Sequence, residues 1–160
     1  MHIPTAEKIL KEAKSILDEL DITFCIHTGT CLGAIRGGAI ITYDYDVDIA
    51  SVFGLHGLTE EVMQKGIDAF KAHGFSVTPK HHNVGTVVVT KKENIILDWT
   101  CYKEKEDGIR VLVLKETIIP VELFHQLKEI DFLGEKFFVP NPPEEYLERT
   151  YGTDWRIPIK

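Results

Sequence analysis

Cationic residues are scarce in this chain. Eighteen lysines and arginines stand against 25 aspartates and glutamates, giving a formal net charge of -7 and a pI of about 5.5. A protein whose main partner is bulk nucleic acid carries a basic stripe, and none is present; a nucleotide remains admissible as a small ligand if metal neutralises its phosphates. Cysteine is scarce too. Cys25, Cys31 and Cys101 make no CxxC pair and sit among apolar or small neighbours, the pattern of buried thiols in a reducing compartment. No uninterrupted apolar run is long enough to cross a bilayer, and the opening Met-His-Ile-Pro-Thr-Ala-Glu-Lys lacks the basic and apolar regions of a signal peptide. Repeats, low-complexity tracts and linker-like stretches are missing as well. These absences predict a soluble, cytoplasmic protein with no membrane span and no nucleic-acid partner. Its 160 residues, 44% of them hydrophobic, suffice for one core, so residues 1–160 are expected to form a single domain.

What the chain does have is acid in an unusual place. Asp44, Asp46 and Asp48 occupy alternate positions in Tyr43-Asp44-Tyr45-Asp46-Val47-Asp48-Ile49. On a strand, which Tyr43, Tyr45, Val47 and Ile49 favour, all three carboxylates leave the same face. Edge strands use charge to discourage aggregation, but acids alone on one face, without a lysine, serve that purpose poorly. A divalent cation relieves the repulsion, and Mg²⁺ prefers such hard oxygens, taking one or two carboxylates plus substrate phosphates. Asp46 and Asp48 are the expected ligands of Mg²⁺ or Mn²⁺, with Asp44 a third ligand or an orienter of the other two.

Asp98 lies inside Ile95-Ile96-Leu97-Asp98-Trp99, where an unpaired carboxylate is costly. It fits either a further metal ligand or the base that takes a proton from an attacking hydroxyl. Upstream, within Thr28-Gly29-Thr30 at a strand-to-helix junction, Gly29 and Thr30 are expected to aim backbone N–H groups at an anion. Arg36, one helical stretch later, can reach a phosphate bidentately, and His27 beside the glycine turn is placed at a ligand. A small-residue turn, a carboxylate pair on one strand and a further acid on another are the parts of a phosphoryl-transfer site. His81-His82 is set aside, since adjacent residues of an extended segment point to opposite faces; a loop is expected there.

Periodicity predicts helices over Ala6 to Leu20 with Thr5 as cap, Cys31 to Arg36 stopped by Gly37-Gly38, Thr59 to His73, and a last one after Pro142-Pro143 to about Tyr151. Strands are expected over Ile22 to His27, the aspartate run, Phe75 to Val77, Thr86 to Thr90, Asn94 to Cys101 and Ile109 to Leu114. Lys128 to Pro140 reads as a hairpin turning at Gly134-Glu135. The class is α+β, a small mixed β-sheet with flanking helices.

Three blocks in order, His27-Thr28-Gly29-Thr30-Cys31-Leu32-Gly33-Ala34-Ile35-Arg36, Tyr43 to Ile49, and Tyr146-Leu147-Glu148-Arg149-Thr150-Tyr151-Gly152-Thr153-Asp154-Trp155, resemble the GTLLGAVR, WDDDIDI and YG-DW segments of the LicD family. This family, which includes the fukutin-related proteins, belongs to the nucleotidyltransferase-fold superfamily. The resemblance implies a nucleotidyltransferase-like fold and transfer of a phosphate-linked group, phosphocholine or a polyol phosphate, from a CDP-activated alcohol to a hydroxyl of a glycan or small acceptor. Position by position, Asp46 and Asp48 match the metal pair, Asp44 the acid before it, Gly29 and Thr30 the glycine turn, and Asp98 the third acid. The interval between the aspartate strand and the YG-DW segment is short for the family, leaving little room for acceptor-holding insertions. The compact antibiotic nucleotidyltransferases, which place an NMP from an NTP on a small hydroxyl compound, are the second reading; they lack the YG-DW ending. A non-catalytic nucleotide-binding module is the third.

Overall fold

The computed structural model describes residues 1–113 and 115–158. Apolar residues at helical spacing bury one side of α1 (Ile3–Glu19), among them Ala6, Ile9, Leu10, Ala13, Ile16 and Leu17. This helix begins before Thr5: His2 caps it, and Pro4 is tolerated because a first-turn N–H needs no helical partner. In α3 (Glu60–Ala72) the Thr59 hydroxyl accepts the Val62 N–H at 3.1 Å, as its position predicts.

Five strands form the main sheet: β1 (Cys25–Ile26), β2 (Asp46–Val52), β3 (Ser76–His82), β4 (Gly85–Lys92) and β5 (Ile95–Tyr102), in the order β1-β2-β5-β4-β3. Only β2 and β5 pair in parallel, so the sheet is mixed. In both, buried apolar residues alternate with the acids: Val47 and Ile49, Leu97 and Trp99 are buried, while Asp46, Asp48 and Asp98 are half-buried. The apolar face packs on α1 and α3, where the Trp99 ring meets Phe70 at 6.1 Å between centroids. The other face carries the acids.

Several elements differ from expectation. Ile22 to His27 yields only the two residues of β1. The aspartate strand starts at Asp46, not Tyr43: Asp46 pairs with Ile96, the ladder with β5 begins there, and two residues before Ile96 β5 gives way to the Glu93-Asn94 turn. Asp44 therefore sits in a loop. His81 and His82 lie in β3 rather than a loop, because the strand paired with β4 extends well past Val77. Helix α2 (Thr28–Gly37) starts three residues early and absorbs the expected Thr28-Gly29-Thr30 turn. The Ile109 strand ends at Leu112 as β6 (Ile109–Leu112), paired with an unanticipated β7 (Glu116–Ile119), and Leu114 lies outside the described residues. The hairpin of β8 (Lys128–Phe132) and β9 (Glu135–Val139) and helix α4 (Pro143–Tyr151) fall where the pattern puts them.

Close approach of α3 to the sheet requires glycine at 66: an added Cβ would lie 2.7 Å from two ring carbons of Trp99. That ring is fully buried and tethered by its Nε1–H to Ser51 Oγ at 3.0 Å, so it has nowhere to retreat. Gly66→Ala gains about 1 kcal/mol of helix propensity and loses about 2–3 kcal/mol to overpacking. The urea midpoint should fall by the equivalent of about 1–2 kcal/mol at unchanged m-value; an unchanged midpoint would mean the contact relaxes freely.

Candidate active site

The register of β2 against β5 sets Asp48 beside Asp98. Side chains two apart on a strand share a face, so Asp46, Asp48, Asp98, Thr100 and Tyr102 all look away from the α1 and α3 layer. One carboxylate oxygen from each of Asp46, Asp48 and Asp98 lies within 4.8 Å of the other two. Asp98 Oδ1 is buried without a hydrogen-bond partner, an expensive state for a carboxylate oxygen and one that a cation would relieve. Hard oxygens at this spacing suit a divalent ion of the Mg²⁺ type. The three acids stand in a cleft of about 710 Å³ that Thr28, Gly29 and Arg110 also line.

Helix α2 holds Asp48 from above. The Thr28 hydroxyl donates to Asp48 Oδ2 at 2.7 Å, and the Asp48 N–H donates to Thr30 Oγ1 at 2.9 Å. To reach, Thr28 adopts φ +42, a strained setting for a β-branched residue. Its N–H donates to Tyr146 Oη of α4 at 3.0 Å, which ties the C-terminal helix into the site. Gly29 makes room for Asp44: a Cβ there would lie 2.7 Å from Asp44 Oδ2, so this carboxylate rests on the first turn of α2, the positive end of the helix dipole.

Comparison with known proteins locates this arrangement. The model of the family described as LicD/FKTN/FKRP, nucleotidyltransferase domain, matches residues 21–142. The chain belongs to that family. Among curated proteins it is 29% identical to human ribitol-5-phosphate transferase FKTN over 167 residues, covering 98% of this chain and 34% of that protein. It is 26% identical to an uncharacterised protein of Rickettsia typhi, over 90% of this chain and 44% of the relative. The chain thus spans a third to under half of these relatives' lengths. Among solved structures it resembles ANT(2")-Ia in complex with adenylyl-2"-tobramycin, with TM-score 0.58, 14% identity and coverage of 86% and 70% of the two chains. The lincosamide antibiotic adenylyltransferase LnuA, lincomycin-bound, gives TM-score 0.56 at 16% identity, with coverage of 84% and 80%. The fold is that of the nucleotidyltransferases.

Within this LicD-family domain, several residues sit differently from expectation. Asp44 lies in its loop and outside the three-acid group. Of the two amides expected at an anion, the Thr30 N–H goes to the His27 carbonyl at 3.1 Å, because the turn is already helical, while Gly29 borders the cleft; the neighbouring Thr28 N–H goes to Tyr146. Arg36 is not at the cleft wall; its Nη1 donates to the Trp155 carbonyl at 3.3 Å, although its charge still favours ionised Asp44. His27 is buried, with Nδ1 and Nε2 each 2.6 Å from a tyrosine hydroxyl, Tyr146 and Tyr102, so no ring nitrogen is left for a ligand. Those two tyrosines, and Lys80, whose charge acts on Asp98, are the residues that sequence reasoning missed. Tyr102 was accessible to it, two strand steps of two beyond Asp98.

Gathering acids raises their proton affinity. Burial, then the charges of Asp46 and, more weakly, of Asp98 and Asp44, against a hydrogen bond from Thr28, push Asp48 up to about 8. Burial, then the charge and hydrogen bonding of Asp46, push Asp98 up to about 6. Asp46 and Asp44 are raised as well, burial first in each case. Burial alone drives His27 down to about 3, so the imidazole is neutral.

Unfolded aspartate titrates near pH 4, roughly 3.9. The folded domain therefore keeps protons that the unfolded chain has released, and the associated stability, full below about pH 4, is lost as pH rises through about 6 and about 8. In EDTA the melting temperature should carry a declining component across that window, and Asp48→Asn or Asp98→Asn should flatten it. Calorimetry at fixed ionic strength measures this; slopes identical to the parent chain would contradict the assigned proton affinities.

Proposed function

We propose that this domain transfers a phosphate-linked group from a CDP-activated alcohol to a hydroxyl of a glycan or small acceptor. The observation carrying the proposal is the grouping of Asp46, Asp48 and Asp98, with one Asp98 oxygen lacking any partner, at the floor of an open cleft. Asp46 and Asp48, with Asp98 beside them, would hold Mg²⁺ or Mn²⁺. Bound there, the cation supplies charge neutralisation for the phosphates, the main requirement of phosphoryl transfer. The relative named ribitol-5-phosphate transferase supports a polyol phosphate as the group moved, and phosphocholine fits the same chemistry.

The chain's own groups do the rest. Thr28 fixes one oxygen of Asp48, so the carboxylate enters the cleft in a set orientation. Asp98 is the proposed base. Burial and the neighbouring Asp46 charge raise its proton affinity above that of a free aspartate, which suits a group that takes a proton. As the acceptor oxygen forms its bond to the β-phosphorus, the acceptor's proton passes to Asp98. The bond from that phosphorus to the bridging oxygen breaks, and CMP leaves with the electron pair. In the alternative role Asp98 is chiefly a metal ligand.

A second reading is favoured by the solved neighbour in complex with adenylyl-2"-tobramycin: NMP transfer from an NTP to a small-molecule hydroxyl. A thermal-shift comparison of CDP-choline, CDP-glycerol and CDP-ribitol with common NTPs, each with and without Mg²⁺, separates the two. A Mg²⁺-dependent rise with a CDP-alcohol is expected; a rise with NTPs alone selects the second reading, and no response supports a non-catalytic module.

With an active donor in hand, Asp48→Asn should lower kcat by at least about a hundredfold with the fold intact. Asp98→Asn should depress kcat far more than donor affinity if Asp98 is the base, and recover partly at high Mg²⁺ if it is chiefly a ligand. Near-normal turnover in Asp48→Asn would overturn the assignment.

A further inference from the structure

A chain of buried hydrogen bonds begins at a backbone amide and ends at the cleft. Thr28 N–H lies 3.0 Å from Tyr146 Oη, Tyr146 Oη lies 2.6 Å from His27 Nδ1, and His27 Nε2 lies 2.6 Å from Tyr102 Oη. A backbone N–H can only donate, and that sets the direction of every later link. Tyr146 Oη accepts from Thr28. Its residue is fully buried, and among the described residues its hydroxyl has no hydrogen-bonding acceptor besides Nδ1, so its proton goes there. The buried imidazole, with no carboxylate partner at either nitrogen, carries a single proton; Nδ1 being an acceptor, that proton is on Nε2 and is donated to Tyr102. The opposite tautomer would strand the Tyr146 proton in a dry interior.

Tyr102 thus receives a hydrogen bond and makes none. Among the described residues its hydroxyl proton has no acceptor, though the side chain borders the cleft on the strand face of Asp98 and Thr100. Burial, and then the charge of nearby Asp48, hold that proton on its oxygen. A hydroxyl oriented this way can offer the cleft a donor, and a phosphate oxygen at neutral pH is an acceptor only.

We propose that the Tyr102 hydroxyl donates a hydrogen bond to a phosphate oxygen of the bound nucleotide, with His27 and Tyr146 as positioning residues that aim its proton. This deepens the reading of the cleft as a nucleotide-donor site and rests on it.

Two measurements test it. Long-range ¹H–¹⁵N correlation on the unsubstituted protein reads the His27 tautomer directly; protonation on Nε2 is expected, and protonation on Nδ1 overturns the proposal. Calorimetry with CDP and with ATP, each with Mg²⁺, then compares the parent chain with Tyr102→Phe. Loss of one hydrogen bond to a charged group should raise the nucleotide Kd about tenfold or more, while Mn²⁺ affinity without nucleotide stays the same. Equal nucleotide binding in the two proteins, or an equal loss of Mn²⁺ and nucleotide affinity, overturns this inference alone. A parent chain that binds neither nucleotide sinks the functional reading and this inference with it. Should Tyr102→Phe not fold, the tautomer in the parent chain still decides.

Discussion

Parallel pairing of β2 with β5 places two aspartates on one rung of the sheet, Asp48 beside Asp98, and the site grows outward from that rung. The pairing is held from the other face. Val47, Ile49, Leu97 and Trp99 are buried against the helices, and a slip of one residue would send them to the cleft and the acids into the core. Apolar burial therefore enforces what electrostatics opposes. Two unit charges about 4 Å apart repel by about 4 kcal/mol at an effective dielectric of about 20. The metal-free domain limits this repulsion by keeping protons, most strongly at Asp48 and next at Asp98. A divalent cation is the natural replacement for those protons.

Asp48 is also the residue that the rest of the domain steadies. Two threonines of α2 hold its carboxylate and its amide, one of them at φ +42. Strain of that kind persists only where surrounding contacts fix it, and here Tyr146 supplies one by accepting the Thr28 N–H. The family match ends at residue 142, so this contact comes from helix α4, outside the matched segment. The cleft thus depends on pieces from residue 27 to residue 151, brought together by the sheet and the last helix.

The acids were legible because alternation along β2 and an isolated carboxylate in an apolar β5 are local patterns. Asp44 was misplaced on the strand because the strand's start is set by where β5 ends, a fact of register that β2 alone does not contain. The partners that the structure gives Thr30, Arg36 and His27 were not legible for a related reason. The Thr30 amide is taken up by its own helix, and the partners of Arg36 and His27 lie more than 70 residues away. Periodicity reports which face a residue takes, not which distant hydroxyl or carbonyl meets it there. Tyr102 could have been found by extending the Asp98 alternation; Tyr146 stands in the closing block of the family resemblance, where nothing local marks its hydroxyl as part of the site.

The central claim is that Asp46 and Asp48 form a metal site with Asp98 beside it. Anomalous diffraction at the manganese edge from crystals soaked in Mn²⁺ tests it without a substrate or a substitution. A peak within bonding distance of carboxylate oxygens from Asp46 and Asp48, on the side facing Asp98, is the predicted result. No peak there at saturating Mn²⁺, with well-ordered side chains, would contradict the account.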